Sequence, residues 1–490
     1  MKKKFGSAIV SSAMACAMAA SICFSTGCGP AKIANFEMPE GGYDGSKVSI
    51  TFAATSGQTL RGKIEDALVR FNELYPNITV TLDTSKQSYD ELNKRIGTQL
   101  TSNKQPNIAF CYSDHIAQYN RSGAVVALDE FFLPGSKYDD ITVTNAKGET
   151  EPLGLTLEQV DPESETGYIK EFFDEGSVYE DGHTYTLPFA KSTEVMYYNK
   201  TFFDTNNLTV PTTWDEMETV CEQIIEILDG NKEKYPFYYD SDANWFITRC
   251  QQLGSPYTSV ETGKHFLFDN EENREFVSTL HEWYKKGYFL TQATNNDKYG
   301  SEWFKEQKCF MSIGSTGGAA YQQGSGTNGI FDFEVGVARV PQEYSTDPTH
   351  PEYKEDYKAQ SILQGPSVCI FKDNNPQKVI ASWLLVKFLT TDIEFQGNYS
   401  IVSGYIPVTK AVFNTQAYKT FLASNTLIAR TAAECKKLVD EGAFYTSPAF
   451  VGSSKAREQV ELLMKTALTS GNINKSFTDA LTECRYFAGN

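Results

Sequence analysis

Apolar residues alternate with polar ones at Val48, Ile50 and Phe52, and then the period changes. Ile64, Leu68, Phe71 and Leu74 share one face of a helix, and alternation resumes at Ile78, Val80 and Leu82. A period of two predicts a strand and a period near 3.6 a helix. Tyr75-Pro76-Asn77 stops the first helix. Ser88-Tyr89-Asp90-Glu91 has the form of a capping box, and Leu92, Ile96 and Leu100 follow on one helical face. Pro106-Asn107-Ile108-Ala109-Phe110 reads as a third strand. Strand, helix, strand, helix, strand predicts an α/β fold with a mostly parallel sheet covered on both faces. Ligands on such sheets sit at the carboxyl ends of the strands, where Tyr89 and Tyr112 to Asp114 fall.

Further along, Thr213-Trp214-Asp215-Glu216 opens a second capped helix. Residues 314–329 read as loop and 333–340 as a strand. Residues 379–389 form a strongly apolar helix, 454–468 a long one, and a last short helix starts near Ser476.

The amino terminus adds a compartment. Lys2, Lys3 and Lys4 precede an uncharged run from Phe5 to Phe24, then Ser25-Thr26-Gly27-Cys28. This is the layout of a secretory signal with a small-residue cleavage site. It resembles a lipobox, which makes 1–27 a signal peptide and Cys28 the site of lipidation. Dual acylation there anchors a chain stably. Residues 28–46 then form a tether with Pro39, Gly41, Gly42 and Gly45 and no apolar period.

Charge narrows the partners. The 490 residues hold 44 Lys and Arg against 62 Asp and Glu, a formal charge of −18, and loss of Lys2 to Lys4 would deepen it. Such a chain repels nucleic acid and anionic membrane, so the membrane is reached only through the anchor. A 40% hydrophobic content over this length suggests two lobes. No later segment is apolar enough to span a bilayer, so the chain is no permease.

Candidate chemistry is sparse. Seven cysteines follow Cys28, an odd number with no CxxC spacing, and they read mostly as small buried hydrophobes, with one disulfide left open. Gly324, Gly326 and Gly329 satisfy GxGxxG, but a strand pattern follows where a phosphate-binding helix is needed. Asp240-Ser241-Asp242-Ala243-Asn244 opens like a calcium loop, yet Trp245 occupies the required glycine position. There is no HExxH and no GxSxG. The reading is no catalytic set, no metal and no cofactor.

Five segments carry a resemblance. Asp181 to Phe189, Tyr197-Tyr198-Asn199-Lys200 and Pro211 to Glu216 resemble the hinge and first-strand signature of family 1 extracellular solute-binding proteins of bacterial ABC importers. Phe304 to Ser315 and Gly404-Tyr405-Ile406-Pro407-Val408 are similar to the family's later strand and turn. The resemblance implies a two-lobed periplasmic-binding-protein-like fold with hinge crossovers and a ligand cleft between lobes. It divides the chain into a first lobe of 47–184 plus 366–410 and a second of 185–365 plus 411–490.

Within the family, the glycerol-3-phosphate-binding branch is most similar. That resemblance implies ligand contacts at Tyr89, Ser113 or Asp114, Ser192, Ser315, Gly365, Tyr405 and Arg457. Phosphate suits a guanidinium, hydroxyls and backbone N–H groups, which Arg457, Lys191, Ser192, Ser315 and Gly365 could supply. Hydroxyls suit a carboxylate and aromatic faces, as offered by Asp114, Tyr89 and Tyr405. Trp245 either stacks on a ring or plugs the second lobe. Alternatives stay open: Arg457 on a solvated helix face, Tyr405 in the core, Lys191 as a surface charge beside the hinge.

The expected function is an extracytoplasmic, membrane-anchored, monomeric lipoprotein. It would capture a polyol phosphate such as glycerol 3-phosphate, or a sugar, and deliver it to ABC permease subunits served by a cytoplasmic ATPase. The alternatives are an uncharged-oligosaccharide-binding subunit, a secreted carbohydrate-active enzyme, or a receptor ectodomain feeding a sensor kinase.

Overall fold

A computed structural model describes residues 37–86, 88–322 and 332–488. Cys28 and the signal segment lie outside the described residues, as does the glycine run at 324–329.

The opening periodicity builds the first sheet. Val48–Ala53 pairs in parallel with Ile78–Asp83, Val48 opposite Ile78, and with Ile108–Cys111, Phe52 opposite Ile108. Helices Gln58–Leu74 and Tyr89–Leu100 make the crossovers. The Ser88 hydroxyl accepts the Glu91 N–H at 3.2 Å, so the expected cap forms. Ser367–Ile370 returns antiparallel beside Ile108–Cys111, and Thr186–Pro188 lies on its far side. The core below joins Phe52, Phe110, Leu187, Val368 and Trp383.

The second sheet is ordered Val335–Arg339, Glu194–Asn199, Cys309–Ser315, Tyr235–Tyr239, Phe289–Thr291. Glu194–Asn199 runs antiparallel to both neighbours, with Ser315 opposite Glu194. Its core gathers Met196, Phe237, Trp245, Phe289 and Ile313. Helix Ser453–Ser470 joins that core through Ala456, Val460 and Leu463.

Three chain passages lie side by side between the sheets. The Phe189 and Ala190 N–H groups donate to the Pro366 carbonyl, both at 3.2 Å. Ser192 and Gln364 exchange backbone bonds of 2.9 and 2.8 Å, and the Ile406 N–H donates to the Lys191 carbonyl at 2.6 Å. Gly365 has φ +86°, and a Cβ there would stand 2.2 Å from the Ala190 carbonyl, so only glycine lets the passages approach this closely.

Some segments sit elsewhere than expected. Thr186–Pro188, assigned to the second lobe from the sequence, is an edge strand of the first sheet. Val412, Phe413, Tyr418, Cys435 and Leu438, likewise assigned to the second lobe, pack into the first core. Residues 37–46 do not stand free: Pro39 is buried and its carbonyl accepts the Tyr138 hydroxyl at 2.6 Å.

The seven cysteines of the described residues are unpaired and buried. Among those residues no helix is long and apolar enough to cross a membrane.

Candidate functional site

A cavity of about 380 Å³ opens between the two sheets. The first lobe lines it with Tyr89, at the start of its helix, and with Tyr112, Ser113 and Asp114, just past strand Ile108–Cys111. The second lobe contributes Ser315 from a strand end, Asn244 and Ile247 from helix Asp242–Leu253, Tyr257, and Ser453 and Arg457 from the long late helix. The passages between lobes add Ser192, Gln364, Gly365 and Tyr405. Ile362, Leu363, Glu175 and residues 446–448 complete the described wall.

Tyrosines give the cavity amphipathic faces. The Tyr89 and Tyr112 rings lie 4.9 Å apart at 46°. Tyr405 sits 6.0 Å from Tyr399 and close over Gly317, where an added Cβ would come within 3.1 Å of its ring. Burial pushes the hydroxyls of Tyr89, Tyr112, Tyr257 and Tyr405 above the usual phenol range, so they remain neutral donors. On the opposite side, the Ser315 hydroxyl donates to Ser192 Oγ at 3.4 Å.

Arg457 is the one Lys or Arg among the described lining residues, and it joins no ion pair among the described residues. Its guanidinium donates to the Asn244 carbonyl oxygen. Asn244 in turn donates from Nδ2 to Glu194 Oε1 at 2.7 Å. The Tyr239 hydroxyl holds Glu194 Oε2 at 2.6 Å, and Gln364 Nε2 approaches Oε1 at 3.4 Å. Glu194 is fully enclosed; burial pushes its carboxyl up to about 7, against the pull of the Tyr239 and Asn244 hydrogen bonds and the Arg457 charge.

The structure thus brings Tyr89, Ser113, Asp114, Ser192, Ser315, Gly365, Tyr405 and Arg457 to one cavity, from seven separated stretches of chain. Two expected contacts do not reach it. Lys191 is 0% exposed; its Nζ donates to Glu175 in a buried ion pair, to Ser367 Oγ at 2.8 Å and to the Gly365 carbonyl at 3.2 Å. Its charge is taken up by the protein itself. Trp245 is also 0% exposed, stacked 4.7 Å from Tyr239 at 8°. Asn244 and Ile247 face the cavity, and the next position round the helix points Trp245 into the core.

Asn244, Tyr257, Gln364 and Glu194 were missed from the sequence. Asn244 ends the calcium-like run, whose Asp240 instead accepts the Gly300 N–H at 2.7 Å. Among the described residues no group of three or more His, Cys, Asp or Glu is placed to hold a metal.

Residues 66–424 match the family described as bacterial extracellular solute-binding protein. The chain belongs to that family. Curated relatives of this solute-binding protein include the maltotriose-binding protein of Pyrococcus abyssi, 28% identical over 240 residues, 49% of this chain and 47% of that one. Another is the sn-glycerol-3-phosphate-binding periplasmic protein UgpB of Escherichia coli, 24% identical over 254 residues, 50% of this chain and 53% of that protein. The match spans about half the length of these relatives.

Solved structures share the two-lobed fold over far more of the chain. UgpB from Mycobacterium tuberculosis, in complex with glycerophosphocholine, superposes with a TM-score of 0.66 at 17% identity, covering 90% of this chain and 98% of that one. The sugar-binding protein MalE from Xanthomonas citri gives 0.67 at 15% identity, with 90% and 98% covered. The family match ends at 424, so Arg457 and residues 446–448 of the cavity wall lie beyond it.

Proposed function

We propose that this chain is the lipid-anchored, extracytoplasmic binding subunit of an ABC importer, and that its cavity captures a small hydroxylated solute bearing one anionic group. A polyol phosphate such as glycerol 3-phosphate fits that description. The subunit performs no chemistry; it closes its two lobes about the passages near Ser192, Gln364 and Tyr405 and presents the solute to the permease. Relatives that bind glycerol phosphates and oligosaccharides support the class. The anchor would be an acylated Cys28.

One observation carries the ligand assignment. Arg457 reaches the cavity wall bonded to a neutral amide and, among the described residues, to no carboxylate. Its charge is therefore available to an anion, while Ser192, Ser315 and Ser113 add hydroxyl donors and Asp114 an acceptor for ligand hydroxyls. A second reading, an uncharged oligosaccharide, is favoured by the four tyrosines on the wall.

Calorimetric titration with glycerol 3-phosphate and with maltotriose separates the two. The first reading expects binding of the phosphate, and saturation at 100 times Kd should add about 2.7 kcal/mol of stability in a thermal melt. Binding of maltotriose with no response to any phosphorylated polyol would replace it with the second. Turnover of glycosides would overturn both.

A further inference from the structure

Glu194 is buried and is not among the described residues lining the cavity, yet three donors from separate parts of the chain converge on it: Tyr239, Asn244 and Gln364. Two of them, Asn244 and Gln364, are themselves cavity wall. A primary amide has one donor end and one acceptor end. Asn244 spends its donor on Glu194, which leaves its oxygen for the Arg457 guanidinium. The flipped amide would set oxygen against carboxylate and N–H against guanidinium, so the charges at its two ends dictate its orientation.

We propose that Glu194 is a positioning residue that couples capture of an anionic solute at Arg457 to uptake of a proton. This deepens the reading of Arg457 as the anion-binding group and rests on it. With the cavity empty, the Glu194 carboxylate and the guanidinium compensate each other across one amide. An anion bound at Arg457 brings a second negative charge toward Glu194 inside a buried region, and protonation of Glu194 relieves it.

Among the described residues, few titratable or charged groups face Glu194. Tyr239 comes from strand Tyr235–Tyr239, Asp240 follows it, Tyr445 belongs to strand Phe444–Tyr445, and Arg457 sits on the long helix. Helix Asp242–Leu253 and the passage at Gln364 present neutral amides. The two tyrosines are held protonated by burial, and Asp240, pushed up to about 6 by burial, accepts the Gly300 N–H. Burial already pushes Glu194 up to about 7, so a further push is felt near neutrality. The sign follows from linkage. A bound anion raises the Glu194 pKa, protons are taken up on binding, and affinity for the anion strengthens as pH falls through about 7. A neutral sugar has no such dependence.

The test titrates the full chain with glycerol 3-phosphate and with maltotriose between pH 8 and pH 6, in wild type, Glu194→Gln and Tyr239→Phe. The ligand's own titration is common to all three proteins and cancels. Between pH 8 and pH 6, wild type should gain about tenfold more affinity for the phosphate than Glu194→Gln does, as expected for unit charges some ångströms apart at an effective dielectric near 20. Tyr239→Phe removes a donor to the carboxylate and should move the midpoint of the dependence to higher pH. Equal pH slopes in wild type and Glu194→Gln overturn the coupling, and an unmoved midpoint in Tyr239→Phe does so should Glu194→Gln fail to fold. Absence of anion binding in wild type removes the reading of Arg457 and this coupling together, which keeps the two failures distinct.

Discussion

Lys191 and Arg457 are two cations beside one cavity, held in opposite ways. Lys191 meets Glu175 directly, with Ser367 and the Gly365 carbonyl filling its remaining donor directions. Arg457 meets its buried carboxylate, Glu194, only through the Asn244 amide. A cation saturated by a contact carboxylate and neutral acceptors has no field left for a ligand. One separated from its counter-charge by an amide keeps part of its field and its orientation. The first arrangement ties structure together, since Ser367 lies in the first sheet and Gly365 in a passage between lobes. The second leaves a cation poised at the wall. The residue type alone, Lys or Arg near a cleft, does not separate these roles; the partner does.

The comparison can be broken most severely at Lys191. Lys191→Met leaves Glu175 buried without its partner, which should cost about 3–5 kcal/mol of stability in denaturant melts. Adding Glu175→Leu should recover most of the loss, because apolar replacement of both partners removes the uncompensated charge. Next in size, Arg457→Ala should weaken glycerol 3-phosphate binding by about 30-fold or more, from the roughly 2–5 kcal/mol lost when one member of a desolvated charge pair is truncated. Its melting temperature should stay near that of wild type, in contrast to Lys191→Met, and binding that is unchanged in calorimetry would return Arg457 to a structural role. The smallest effect sharpens the comparison. Asn244→Asp sets a carboxylate against the guanidinium and makes Arg457 resemble Lys191, so anion affinity should fall about tenfold, near 1.4 kcal/mol, with the fold retained. Unchanged affinity would mean that the amide spacer is not what keeps the guanidinium available.

What could be read from the sequence was local or carried by resemblance. The alternation at Val48 to Phe52 became the paired strand Val48–Ala53, and the Ser88 and Thr213 caps formed, Thr213 accepting the Glu216 N–H at 3.3 Å. These are short-range consequences of side-chain period and hydrogen-bonding capacity. Tyr405, within the Gly404 to Val408 turn, and Arg457, implied by the glycerol-3-phosphate branch, were pointed to by resemblance, and both line the cavity. Lys191 was misjudged because its partners are 16 and 176 residues away, and no local pattern distinguishes a buried lysine from a ligand-facing one. Glu194 was invisible for the same reason: its relay joins residues 50 and 170 positions apart, and the Asn244 to Arg457 step spans 213. For Trp245 ring stacking and plugging of the second lobe stood open, and the structure has the second, because aromatic character says nothing of which face of a helix it occupies and nearly all of helix Asp242–Leu253 is enclosed.

The seven buried thiols have a practical consequence. Burial pushes Cys435 and Cys484 up to about 12 and raises Cys111, Cys221 and Cys309 well above the usual thiol range, so none of these offers a thiolate to a reagent in water. A protein with this many native cysteines would ordinarily need them stripped before site-specific labelling. Here a single cysteine placed at Tyr321, 67% exposed and in the turn that follows the cavity-lining Ser315, would be the one reactive sulfur among the described residues. An environment-sensitive dye attached there would turn solute capture into an optical signal without touching the native packing.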